Sequence, residues 1–590
     1  MPNFHASLCE MRGMEINMKT LLIGINSKYI HSCLAVWYLK ANNIAAHDCE
    51  VREFTINDSK DSILAEIFLE KPDILAFSCY IWNIELVGML ARELKKLLPG
   101  CRVILGGPEV SYNAREVLES NISVDFVLCG EGEEIFPVVI QSLQNGSNEY
   151  KTLNGIAFRE KDGEIHFRPG FNLVTDLDRL SSPYSEALLA AVQNRIVYFE
   201  SSRGCPFSCS YCISSTFNGV RYFSLERVRA ELERLLEHKP KLIKFVDRTF
   251  NCNRSRAWEI FEYIINLDSP AVFHFEAAAD LFDQELLDLL SKSPKGRIQL
   301  EIGLQTTNST TLEEICRVTD LDRLKANVGR ILANGNIHVH LDLIAGLPCE
   351  SMYSFRNSFN EVYSMKPHQL QLGFLKMLKG AKIREEAARH GYSFRAYAPY
   401  EILGNSYISY EEILVLKDIE ETLERYFNSG RFVKSLGMLE QHFHGDSFEM
   451  YRQLAAYCRK DGYLSRPVAY RENIAILFEF AAEYLKDKVF IEEFRQNMIF
   501  DFLSADSSCS VPEILRPAPY LLPSERIHEL LRSKEFIKEY LPDFADLPVK
   551  NIIKRIFFVE LPLITGPGQL LLFDYTQRDP VCESFRSVVI

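Results

Sequence analysis

The chain has 590 residues, 47% hydrophobic and 25% charged, the profile of a folded globular protein of about three or four domains; a mostly disordered or collagen-like chain is excluded. Lys and Arg number 66 against 80 Asp and Glu, a net charge of −14, which weighs against broad electrostatic binding of nucleic acid but leaves room for a local basic groove. Fifteen cysteines, mostly single within apolar runs, suit a reducing, cytosolic protein, and no run of about 18 apolar residues marks a transmembrane helix.

Residues 1–18 lack the apolar stretch of a signal peptide and read as a tail. From 19 to 150, strands are expected at 20–26, 49–57, 73–82, 101–110 and 125–134, the last ending in a glycine loop, with helical patterns between most of them. That alternation implies a parallel α/β sheet whose ligands gather at the carboxyl ends of the strands. Residues 151–190 read as a linker that begins with a hairpin. From 191 to 400 a second series follows, with strands at 196–202, 242–247, 272–279, 297–305, 338–347 and 369–378. Six such repeats suggest a partial barrel of β/α units with its active site at the strands' carboxyl ends. Residues 401–590 show apolar i, i+3, i+4 spacing and read as mainly helical, closing with two strands.

Only one group of cysteines is dense. Arg203-Gly-Cys205-Pro-Phe-Ser-Cys209-Ser-Tyr-Cys212 follows the first barrel strand, where catalytic loops belong. Three thiolates can hold three irons of a [4Fe–4S] cube and leave the fourth open, whereas closed electron-transfer clusters normally take four Cys. An open position is the mark of a centre that binds substrate or cofactor. Zinc would need a fourth ligand, for which Cys252 is the nearest candidate.

This segment resembles the radical SAM enzymes. The resemblance implies that Cys205, Cys209 and Cys212 hold the cluster and that its open iron binds S-adenosylmethionine. Electron transfer then gives a 5′-deoxyadenosyl radical that removes hydrogen from an unactivated carbon. It also implies cofactor contacts from Tyr211, from Glu276 at the end of the third strand, from Glu301 and Gln305 on the fourth, and from Gly346 on the fifth. Glu276 could instead form an ion pair at the barrel mouth, and Gln305 could cap a helix. Asp247 replaces a glycine-glycine-acid pattern of some relatives. Arg203 and Arg248 could pair with a carboxylate or with each other. His274, His338, His340 and Tyr397 lie where pocket residues belong, though packing roles are equally open, and Cys349 adjoins the fifth-strand loop.

In the preceding α/β domain, the strand–loop segments ILGGPEVS (104–111) and FVLCGEGEE (126–134) resemble the cobalamin-binding domain of cobalamin-dependent radical SAM enzymes, in a subset that carries an uncharacterised helical C-terminal extension. Ser78, Gly106, Gly107, Gly130 and Gly132 would let the backbone approach the corrin and its nucleotide tail. The Asp-x-His-x-x-Gly motif of other cobalamin proteins is absent; Asn26-Ser-Lys-Tyr-Ile-His31 stands in its place, with His31 a candidate cobalt ligand or a surface or capping residue. The alternative is a flavodoxin-like domain without ligand. The fold expected is therefore an N-terminal flavodoxin-like (Rossmann-like) cobalamin-binding domain, a central partial (β/α)6 TIM-type barrel and a mainly helical C-terminal domain. The implied activity is methylation of an unactivated carbon of a small-molecule or RNA substrate. It would use a [4Fe–4S] cluster, S-adenosylmethionine and cobalamin, with a reducing donor such as flavodoxin or ferredoxin. Non-methylating rearrangement, RNA modification and a cobalamin sensor or carrier are the rival readings.

Overall fold

The computed structural model describes residues 18–43, 48–217, 219–516 and 521–590; all but the last residue of the expected tail lies outside them. The chain divides into two compact units, residues 1–276 with 376–402, and residues 277–375 with 403–590.

The first unit begins with a seven-stranded sheet. Its strands are β1 (Thr20–Asn26), β2 (Cys49–Thr55), β3 (Ile74–Ser78), β4 (Arg102–Gly106), β5 (Phe126–Leu128), β6 (Ile156–Arg159) and β7 (Ile165–Arg168), in the order β2-β1-β3-β4-β5-β6-β7. The first five are parallel. Every residue of β1 and β3 is buried, as expected where helices cover both faces of a parallel sheet. The hairpin expected after residue 150 forms, but its strands pair antiparallel onto β5, with Phe126 opposite Phe158. The sheet therefore extends through Arg168.

After this sheet come β8 (Val197–Phe199), β9 (Ser202–Cys205), β10 (Gly219–Tyr222), β11 (Leu242–Phe245) and β12 (Val272–Glu276). β8, β11 and β12 are parallel neighbours. β9 and β10 form an antiparallel hairpin that the sequence reading did not anticipate. Both strands are four residues long, and apart from Ser202 none of their residues is buried, so they carry no hydrophobic alternation to detect.

The second unit holds β13 (Ile298–Gln305), β14 (His338–Ala345) and β15 (Gln369–Phe374), again parallel. β13 and β14 alternate strictly between buried and half-buried residues: one face packs under helices while the other carries Gln299, Glu301, Gln305, His338, His340 and Asp342. Each unit thus carries three parallel strands of the β/α series, six in succession along the chain as expected from the sequence for a partial barrel. The rest of this unit is mainly helical. Tyr410–Tyr426 starts with a Ser409–Glu412 capping box, and Ser447–Lys460, Tyr470–Leu485 and Lys488–Ala505 follow. The terminal sheet has three strands where two were expected: Ile556–Val559, Leu571–Arg578 and Phe585–Val589. The third has a single buried residue, too little apolar signal to read.

Candidate active site

The cysteine loop springs from the β9–β10 hairpin. Cys205 ends β9 and lies opposite Gly219 on β10, so the two strands close the base of the loop. Within it, the Cys212 N–H donates to the Cys209 carbonyl at 3.2 Å. The Ser215 hydroxyl donates to the carbonyls of Cys209 and Cys212 at 2.9 and 2.5 Å. The Ile383 N–H donates to the Ser210 carbonyl at 2.9 Å, so a distant segment pins the loop from outside. Cys209 is buried and Cys205 and Cys212 are half-buried. Among the described residues, no set of three or more His, Cys, Asp or Glu ligand atoms within 4.8 Å of one another includes any of these thiols. A single tetrahedral zinc, with Zn–S bonds of about 2.3 Å, would need its ligands closer than that; thiolates that each hold a different iron of a cluster need not be. Cys252, the candidate fourth ligand, instead has its Sγ 3.3 Å from the Tyr222 hydroxyl, and burial raises its thiol above the ordinary range.

A cavity of about 860 Å³ opens beside this loop. Its wall combines the carboxyl ends of the N-terminal sheet (Asn26, Ser78, Gly106, Gly130) with those of the barrel strands (Glu200, Lys244, Arg248, Glu276) and with Gly204 and Ile213 flanking the cysteines. The volume lies at the upper end for ligand pockets. The stacked rings of Tyr80 and Trp82, 4.4 Å apart, add an apolar panel. Three thiols able to bind different irons and a cavity of this size at the strands' carboxyl ends fit a polynuclear cluster and a large planar cofactor.

Ser78, Gly106, Gly107, Gly130, Gly132 and Glu276 all line this one cavity; Tyr211 is half-buried in the loop and is not on the wall. The glycines have reasons of their own. Gly107 has φ +106°, and a Cβ there would lie 2.6 Å from the Cys79 carbonyl oxygen. At Gly130, with φ +90°, a Cβ would strike the Asn172 backbone, its nitrogen at 2.8 Å. Both are thus demanded by chain meeting chain. Only Gly106 has room, its nearest neighbour being the Leu128 carbonyl oxygen at 3.9 Å. Asp247 is committed elsewhere. It accepts from the Ser201 N–H at 3.0 Å and from the Ser201 and Ser202 hydroxyls at 2.7 and 2.5 Å, anchoring the chain ahead of the cluster loop. His31 lies on the wall with Nδ1 2.7 Å from the Tyr198 hydroxyl, and burial first, then nearby lysines, lower its pKa.

In the second unit, Gln305 ends β13 and Gly346 directly follows β14, whereas Glu301 lies midway along β13. Gln305 has φ +74°, and the Gly346 carbonyl accepts from the Asn405 amide at 3.0 Å. His338 stacks on His368 at 5.0 Å, and His340 Nε2 is 3.2 Å from Asp342 Oδ1. The Cys349 carbonyl accepts from the Asn308 amide at 3.1 Å, and Tyr397 is exposed. Glu350, 1% exposed, accepts a hydrogen bond from the Thr306 hydroxyl. Burial pushes its carboxyl from 4.5 up to about 7, the Thr306 and Ser358 hydroxyls pulling the other way. A carboxyl raised on folding stabilises the fold when protonated. Its contribution is full below about pH 4.5 and is lost as pH rises through 7, on the order of 3 kcal/mol across that span. Glu350→Gln should therefore flatten the decline in denaturant midpoint between pH 5 and 8, and an unchanged pH profile would refute this.

The sequence reading missed how the N-terminal domain grips the cluster loop. The Tyr112 hydroxyl lies 2.7 Å from the Thr216 hydroxyl. Glu109 accepts from the Tyr400 hydroxyl at 2.6 Å and pairs with Lys379 at 2.8 Å. Glu131 and Glu133 pair with Arg203 and Arg221. The one available signal was the acidic doublet of the Gly130–Glu133 loop beside the arginine that precedes Cys205.

Three family models match in chain order: a B12 binding domain over residues 20–140, the radical SAM superfamily over 199–362, and a protein of unknown function (DUF4080) over 388–565. The chain is similar to the cobalamin-dependent radical SAM methyltransferase TokK of Streptomyces tokunonensis, at 27% identity over 60% of this chain and 53% of that protein. It is also similar to an anaerobic magnesium-protoporphyrin IX monomethyl ester cyclase of Rubrivivax gelatinosus, at 24% over 56% and 61%. The chain spans about half to three fifths of these curated relatives. Among solved structures, the cobalamin-dependent S-adenosylmethionine radical enzyme OxsB, with aqua-cobalamin and S-adenosylmethionine bound, matches with TM-score 0.58 at 14% identity, covering 90% of this chain and 84% of that one.

Proposed function

We infer that this chain, a member of the radical SAM proteins that carry a B12-binding domain, is a cobalamin-dependent methyltransferase acting on an unactivated carbon. The observation that carries the reading is the three-cysteine loop set beside one large cavity walled by the strand ends of both the B12-binding sheet and the barrel. Cys205, Cys209 and Cys212 hold the [4Fe–4S] cluster. When bound, cluster and S-adenosylmethionine supply the hydrogen-abstracting radical, and cobalamin supplies the methyl group.

The chain's own residues bind, orient and exclude water. The hairpin and Ser215 hold the three thiols in one loop. Ser78, Gly106, Gly107, Gly130 and Gly132 offer polar backbone and small surfaces to the cobalamin. Glu276 faces the same cavity as a S-adenosylmethionine contact; Tyr211, Glu301, Gln305 and Gly346 are the remaining ones. Tyr80 and Trp82 keep water from part of the wall. The substrate is a small molecule or an RNA. No described helix is long and apolar enough to cross a membrane, and the need for reduced thiols and a donor such as flavodoxin or ferredoxin fits the cytoplasm.

The test is anaerobic reconstitution with iron, sulfide and hydroxocobalamin. The expected result is cluster absorbance, bound cobalamin, and 5′-deoxyadenosine released from S-adenosylmethionine under reduction. Label from the S-adenosylmethionine methyl should appear in product. Protein that takes up neither cofactor would overturn the reading, and unlabelled rearranged product would redirect it to non-methylating chemistry.

A further inference from the structure

The loop that offers Gly130 and Gly132 to the cavity commits its acids to the cluster hairpin at the cavity's edge. Glu131 receives both terminal nitrogens of Arg221, Oε1 at 2.5 Å from Nη2 and Oε2 at 2.8 Å from Nη1, a bidentate fork. Arg203 Nη2 reaches Glu133 at 2.6 Å and Glu200 at 3.0 Å, and its Nη1 lies 3.4 Å from Glu131. Arg203 precedes Cys205 by two residues on β9, and Arg221 lies directly opposite it on β10. Both strands of the hairpin that presents the cysteines are therefore bolted to one loop of the B12-binding domain.

The bolt is largely sheltered from water: side-chain exposure is 11% for Arg203, 8% for Glu133, 18% for Glu131 and 24% for Arg221. Burial would raise the Glu131 carboxyl, but the Arg221 hydrogen bonds and the Arg203 charge hold it below its usual range. Sheltered, forked ion pairs fix geometry, unlike exposed ones, which hold it loosely. All four side chains border the same cavity.

We propose that Arg203 and Arg221 are positioning residues that clamp the cluster hairpin to the 130–133 loop, so that cobalamin in the cavity and S-adenosylmethionine at the cluster are set in place relative to each other and bind with linked affinities. The proposal rests on the cavity being the cobalamin site. Linkage requires each ligand to change the other's affinity by the same factor.

The test uses the full chain with its cluster. S-adenosylmethionine affinity is measured by its change of the reduced cluster's EPR spectrum, with and without hydroxocobalamin. In wild-type protein the two affinities should differ by about 5-fold or more, the lower end for coupled sites. In Arg221→Lys, which keeps the charge and loses the fork, the factor should shrink towards one while iron content stays at the wild-type level. The reversed pair Glu131→Arg with Arg221→Glu should regain part of the factor that each single change removes.

Equal affinity with and without cobalamin in the wild type overturns the proposal, as does full coupling in Arg221→Lys. Loss of iron in Arg221→Lys also overturns it, since that marks a merely structural role. Wild-type protein that takes up no cobalamin would instead refute the reading of the cavity.

Discussion

Cys209→Ala protein, reconstituted anaerobically, should return without cluster absorbance and release no 5′-deoxyadenosine. Cys209 is the middle cysteine of the loop and the middle one of the three proposed ligands, and it is buried. Removing one of three protein ligands would leave two irons of the cluster without a protein ligand. Cys205→Ala and Cys212→Ala should behave alike, each a complete loss. Cys252→Ala is the informative control. Its thiol is engaged with Tyr222 and is raised by burial, whereas a metal ligand must give up its proton. That variant should keep iron, sulfide and turnover at wild-type levels. If it loses its metal while Cys209→Ala retains some, the three-thiol assignment is wrong and a four-ligand site has to be considered.

Gly107→Ala should cost the N-terminal domain roughly 1–3 kcal/mol from its backbone dihedral alone, and more because the new methyl meets the Cys79 backbone rather than a side chain that could move aside. The same short stretch is knotted by hydrogen bonds: Cys79 N–H to the Gly106 carbonyl at 2.7 Å, and the Ser111 hydroxyl to the Gly107 carbonyl at 2.8 Å. A shift there moves one wall of the cavity. The expected result is a lower thermal midpoint and purified protein without the visible absorbance of bound cobalamin. Gly106→Ala is the paired variant. Its methyl has space and its backbone is not left-handed, so the domain should fold normally while cobalamin binds more weakly if the cofactor lies against that residue. A Gly107→Ala protein of unchanged stability would refute the argument.

The contrast between those two glycines also shows what a single sequence can reveal. β1 is legible residue for residue because both its faces are buried and every position between Thr20 and Asn26 is apolar or glycine. β5 covers only Phe126–Leu128, because the glycines and acids after Leu128 form the loop in which that strand is expected to end. The glycine pattern marked the right loops but not the reason for them: a ligand approaching the chain and the chain approaching itself impose the same demand on a residue. The cysteine spacing could be read because its three members lie within eight residues. The clamp could not, because Arg203 lies 70 residues from Glu133 and Arg221 lies 90 from Glu131, and nothing local pairs an arginine with a distant glutamate. Asp247 could not be assigned from the sequence for a similar reason: a carboxylate at a strand end looks the same whether it serves a cofactor or two neighbouring serines.

The contact between Ser210 and Ile383 bears on how the protein is made. The loop carrying the cysteines leaves the ribosome roughly 170 residues before the segment that pins it. At about 5–20 residues per second, that is a delay on the order of 10–35 s. Throughout it the N-terminal sheet and the thiols are complete, while Lys379, Ile383 and Tyr400 have yet to be added. The nascent chain thus offers three unpinned thiols to whatever reaches them first, an iron–sulfur donor or an oxidant. Yield of active protein should accordingly depend on iron supply during translation more than on iron added to the finished chain.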